Sequence, residues 1–187
     1  MEVTFRKTGS RRYAVDVRRE GFPDVTMDPA PGFDRYLPHD MVHFLVEVEV
    51  GLTFGVFGQL AKGGDAGTFR KYQNPPGDSR TAGRQRRRAG KRGARLSEAG
   101  HRDAVFSERA AVICEHAWLM RSTDADRRSR GREMAPYVKR MWEECSPSEA
   151  SRLTSDAIDS VCARFDELSR EWTKLEINEG ITLRWPT

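Results

Sequence analysis

The chain has 187 residues, 37% of them hydrophobic and 32% charged, with 32 Lys and Arg against 28 Asp and Glu for a formal net charge of +4. That length suits one domain with a substantial core, and no apolar run approaches the ~20 residues of a membrane-spanning helix. Three cysteines (Cys114, Cys145, Cys162), odd in number and without a CxxC spacing, argue against a disulfide framework or a zinc ribbon and fit a reducing cytoplasm.

The opening "MEVTFRKTGSRRYAV" lacks the apolar core of a signal peptide, so a cytoplasmic protein of one domain, residues 1–187, with no membrane partner is expected. The same stretch, continued to Glu20, reads as a β-hairpin. Val3 and Phe5 alternate with polar residues, as do Tyr13, Val15 and Val17, and Gly9 supplies the turn. Three prolines and two glycines in "GFPDVTMDPAPGFD" read as a connecting loop. Pro38 suits the first turn of a helix running to about Val50, with Gly51 as its stop, while the alternating "VEVEV" leaves a strand open for the second half. A second short helix, "TFGVFGQLAKGG", starts from Thr53 and ends at Gly63.

Residues 64–102 hold seven glycines and two adjacent prolines with almost no apolar periodicity, so a long loop is expected, flexible and basic at about 77–100. Within it, "RQRRRAGKRGAR" (Arg84–Arg95) carries seven basic residues and no acid. Its +7 exceeds the charge of the whole chain and leaves the remainder at −3. A helix returns from Asp103 to Met120, with Val105, Ile113, Ala117 and Met120 on one face. "TDADRRSRGRE" reads as a polar connection and "PYVKRMWEEC" as a short helix opening at Pro136. "SPSE" (Ser146–Glu149) is a capping box. Beyond it, Ile158, Val161, Phe165, Leu168, Trp172 and Leu175 recur at spacings of three and four, the clearest helix in the chain. The alternating "GITLRWP" is a strand able to pair with the N-terminal hairpin. The expected fold is therefore α+β, a small antiparallel sheet (N-terminal hairpin plus C-terminal strand) packed on three to four helices.

The densest chemistry lies in "PHDMVHFLVE". At 100° per residue from His39, His43 lies about 40° round the helix, Glu47 about 80° and Asp40 about 100°, with apolar residues filling the rest. Such a stripe can be the wet side of a helix, or an ion pair of His43 with Glu47. Two facts favour a metal site. Histidines at i and i+4 converge on one ion in the HExxH manner, and no Lys or Arg occurs from Leu37 to Ala61. On that reading His39 and His43 are ligands, Asp40 is a base or further ligand, and Glu47, about 12 Å along the axis from His39, orients His43. His116, on the face of the later helix that also holds Arg109, is the first candidate for third donor, another His, Asp or Glu being the alternative, with Glu108 and Glu115 pointing away. Arg109 is placed to hold an anionic group or to pair with a buried carboxylate.

The segment "LPHDMVHFLVE…GLTFGVFGQLAKGG" resembles a family of bacterial proteins of no established activity, in which PHDxxHxxVE precedes a Gly-x-x-Gly segment. The resemblance spans about 37–64. "HDMVH" is also similar to the His-Asp-x-x-His zinc motif of a ubiquinone-biosynthesis protein family. That family has a glutamate twelve residues after the second histidine, where this chain has Gly55, so its ligand set does not carry over.

These observations lead to the expectation of a metal-dependent hydrolase using a divalent transition metal (zinc, iron or manganese). The alternative is a nucleic-acid-binding or interaction protein that uses Arg84–Arg95 without catalysis. "GVFGQLAKGG" lacks the ending of a phosphate-binding P-loop, and Cys114 beside His116 is adjacency in sequence, which a helix turns about 100° apart.

Overall fold

A computed structural model of the chain describes residues 1–71 and 79–186. In chain order the elements are β1 (Glu2–Gly9), β2 (Arg12–Arg18), β3 (Val25–Ala30), α1 (His39–Glu49), α2 (Val56–Ala61), β4 (Arg70–Lys71), α3 (Ser79–Arg121), α4 (Ala125–Glu144), α5 (Pro147–Ala150), α6 (Ser155–Trp172) and β5 (Gly180–Arg184). The fold is α+β, as expected. None of the described helices is long and apolar enough to cross a membrane.

The five strands form one antiparallel sheet in the order β4-β3-β2-β1-β5. The hairpin and the C-terminal strand pair as expected, Val3 opposite Leu183 and Phe5 opposite Ile181. Alternation makes the sheet two-sided: Val3, Phe5, Tyr13, Val15, Val17 and Ile181 are buried, while Thr4, Arg6 and Thr182 lie on the wetter face. An aromatic column ties the sheet to the helices. Phe5 meets Phe44 of α1 edge-on at 6.0 Å, Phe44 meets Phe57 of α2 at 5.0 Å, and Phe57 stacks with Trp185 at 6.4 Å. On α6, Val161, Phe165, Leu168 and Trp172 are buried, the stripe read from the sequence.

Three expectations need correction. Residues 25–30 are a strand, not a loop: Val25 and Met27 are buried and pair with Val17 and Val15. That two-residue alternation is short enough to be hidden by the prolines around it. The "TDADRRSRGRE" connection is mostly the start of α4, capped by Asp124, whose carboxylate accepts from the amides of Asp126 and Arg127. Pro136 lies inside α4 instead of opening it, and the capping box at Ser146–Glu149 opens only the single turn of α5.

The third correction is the largest. From residue 79 the backbone is helical, so the part of the expected basic loop that falls on 79–100 is the first half of a 43-residue helix; 77 and 78 lie outside the described residues. Arg, Ala, Gln and Lys are all good helix formers, and a helix needs no apolar stripe where it stands away from the core. In the second half of α3 the buried ridge is Phe106, Ala110, Ile113 and Cys114, one step round from the expected one; Met120 is exposed.

Gly100 gives a test of this helix. A Cβ there would stand 2.5 Å from the Phe54 carbonyl oxygen and 2.9 Å from Gln59 Nε2. Gly100→Ala should therefore destabilise by about 1–3 kcal/mol in urea denaturation, although alanine is the better helix former. Ala99→Gly at the exposed neighbouring position should cost about 0.5–1 kcal/mol, the price of glycine in a helix and not in a loop.

Candidate metal centre

The loop before α1 is pinned on three sides, and this fixes where α1 begins. Tyr13 of β2 donates to the Pro31 carbonyl at 2.5 Å, Arg130 of α4 donates to Asp34 at 2.7 Å, and the Arg127 guanidinium lies 4.2 Å from the Tyr36 ring. His39 and His43 occupy successive turns of α1. Their rings meet edge to face with centroids 4.5 Å apart, and the two Nε2 atoms stand 3.1 Å from each other. Glu108 of α3 brings Oε2 to 3.5 Å from His43 Nε2. One nitrogen from each histidine and one Glu108 oxygen all lie within 4.8 Å of one another, and these three form the metal-competent group among the described residues. Two of the separations bracket the roughly 3.3 Å edge of a tetrahedron with metal–ligand bonds of 2.0–2.1 Å.

The support for His43 runs inward. Its Nδ1 is 2.9 Å from Ser107 Oγ, and Ser107 donates to Glu47 Oε1 at 2.9 Å. A serine hydroxyl has one hydrogen, and Glu47 receives it, so the bond to His43 has Nδ1–H as donor. His43 is thereby held with its Nε2 lone pair facing His39 and Glu108. This is the tautomer a metal requires, set by a partner on the far side of the ring. Glu47 has no solvent exposure and also accepts from the amides of Val56 at 2.7 Å (Oε1) and Phe57 at 2.9 Å (Oε2). The Gly58 amide also faces this carboxylate.

Burial dominates the charge states. It lowers the His43 pKa to about 3, helped by the nearby His39, so the ring is neutral near pH 7. It raises Glu47 to about 7, against the opposing pull of the hydrogen bonds from Ser107, Phe57 and Val56. Burial likewise raises Asp40, whose carboxylate faces the Tyr13 hydroxyl.

The sequence-derived site is thus partly assembled. His39 and His43 meet, and Glu47 orients His43 through Ser107. Asp40 is turned to Tyr13 and is not in the metal-competent group. His116 is not in it either: nine positions beyond Ser107 it points to the opposite side of α3, and eight positions beyond Glu108 it sits about 12 Å along the axis. Arg109 is engaged elsewhere, 3.5 Å from Glu144 and 3.4 Å from Glu149. Glu108 and Ser107 were the missed residues. Their only signal was the position of the buried ridge on α3, which the sequence placed one step off.

The linkage has a definite sign. Glu47 holds its proton more tightly folded than unfolded, so its contribution to stability is full below pH 4.5 and lost as the pH climbs through about 7. His43 runs the other way, its contribution present above pH 6.5 and lost as the pH falls towards about 3. Between pH 4.5 and 6.5 these two slopes cancel. Glu47→Gln removes one of them. The stability of the wild type relative to this variant should decline by on the order of 3 kcal/mol from pH 4.5 to 7, read by urea denaturation of metal-free protein. A difference that stays flat with pH would show that Glu47 titrates normally.

No protein-family model, curated protein or solved structure matches the chain, and the geometry of the site is the ground on which its function stands.

Proposed function

We propose that His39, His43 and Glu108 hold one divalent transition metal, zinc, iron(II) or manganese, and that the protein uses it for hydrolysis. The observation that carries this is the Nε2–Nε2 separation of 3.1 Å between two imidazoles, one of them fixed in the ligating tautomer by Ser107. Two imidazoles and one carboxylate form the donor set of both zinc hydrolases and non-haem iron(II) sites, whereas calcium takes oxygen ligands.

The metal, when bound, would supply Lewis acidity and a water of lowered pKa. The residues of the chain divide the remaining work. His43 is buried and aimed. His39 and Glu108 are exposed and leave the outer side of the group accessible to water and substrate. Glu108 contributes the one negative charge among the three donors. Asp40 is not assigned as base, because its carboxylate faces Tyr13, and Arg109 is not assigned to substrate, because it pairs with Glu144 and Glu149.

Titration of metal-free, untagged protein with zinc, manganese or anaerobic iron(II) by calorimetry should give one site per chain. Ser107→Ala should weaken binding about 10–100-fold, the usual loss for a partner that orients a ligand, and His43→Ala and Glu108→Gln should weaken it further. His116→Ala should leave it unchanged. The loaded protein should hydrolyse activated esters or phosphoesters, and Glu108→Gln should not. Equal metal affinity in His43→Ala and wild type would sink the proposal.

A further inference from the structure

The basic stretch on α3 plays no part in the metal centre, yet the helix organises it. Gly93, Leu96 and Gly100 mark the side of α3 turned to the body of the protein. A Cβ at 93 would be 3.2 Å from Asp65 Oδ1, Leu96 lies against Gly64, and position 100 abuts Phe54. At 100° per residue, positions 80, 84, 87, 88, 91, 92 and 95 fall within an arc of about 140° that excludes that side. All seven are Arg or Lys, and position 86 is the one basic residue of 79–95 on the contact side. Arg95 of the arc is exposed, whereas Gly93 and Gly100 are buried. From 80 to 95 the arc runs about 22 Å along the axis.

We propose that this face of α3 binds double-stranded nucleic acid through its phosphates, without regard to sequence. Three features select this partner. Six of the seven residues are arginine, whose planar guanidinium matches phosphate in a two-pronged contact that lysine cannot make. Residues 79–95 contain no apolar residue larger than alanine, so the helix has no face to bury in a lipid surface. They contain no aromatic residue, so unpaired bases have nothing to stack on, and binding falls to the duplex backbone. A helix fits the roughly 12 Å major groove of B-DNA, and the duplex offers one charge per about 1.7 Å along its axis.

The test uses the full chain and fluorescein-labelled 20-base-pair duplexes of DNA and of RNA, followed by anisotropy between 50 and 200 mM KCl. Binding should be equal for unrelated sequences. With about five phosphates neutralised, affinity should fall on the order of 1,000-fold over that fourfold rise in salt. Arg84→Gln, Arg87→Gln, Arg88→Gln and Arg92→Gln together keep good helix formers in place and should abolish binding at 50 mM KCl, with thermal midpoint and helix content by circular dichroism unchanged. Preference for DNA or RNA would identify the natural duplex. The proposal is overturned by no binding at 50 mM KCl, by undiminished binding in the quadruple variant, by tighter binding to single strands, or by equal binding to poly-glutamate or phosphatidylserine vesicles.

Discussion

Glu47 is a carboxylate removed from solvent, and three helices meet on it. It belongs to α1, accepts the first amides of α2, and takes the hydroxyl of Ser107 on α3. A buried carboxyl without partners would cost several kcal/mol, so its partners are constrained to stay where they are. Gly55 is part of that constraint, since a Cβ there would collide with the Glu47 carboxylate. The start of α2, the rotation of α3 about its axis and the orientation of the His43 ring are consequently fixed by one side chain. The histidine helix and the Gly55–Gly58 segment touch in the fold.

How much of the site the sequence could reveal follows from this. His39, His43 and Glu47 share one helix, and regular spacing within a helix is legible by counting. Glu108 and Ser107 come from another helix, and their relation to α1 depends on which ridge of α3 is buried. A shift of one residue turns the helix by about 100°. That shift alone replaces Glu108 with Arg109 and His116 on the inward face. The rotation expected for α3 was off by that step. Asp40 was misread for a related reason. Its side chain leaves the helix about 100° from His39, which is far enough to reach Tyr13 of the sheet instead of the imidazoles.

For the fold, strong periodicity was reliable and its absence was not. The hairpin, β5, α1 and α6 all carry clean patterns of two or of three and four, and they stand where those patterns put them. The failures lie where an element has little to bury. β3 contributes only Val25, Met27 and Ala30 to the core, and α4 buries only Gly131, Val138 and Met141 along 20 residues. In such elements the signals left are caps and intrinsic propensity. Asp124 supplied a cap that composition outweighed, and the arginines of early α3 supplied propensity that seven glycines outweighed.

The length of α3 then has a physical consequence. Its second half must be held in rotation to within a fraction of a turn, because Ser107 and Glu108 address different atoms of one imidazole. An uninterrupted helix transmits that rotation to its first half, where Gly93, Leu96 and Gly100 meet the α2 region and hold it a second time. The same register that turns Ser107 inward also turns Gly93 and Gly100 towards the body. The contacts of α3 at Glu47 and at the α2 region are thus two readings of one helical register.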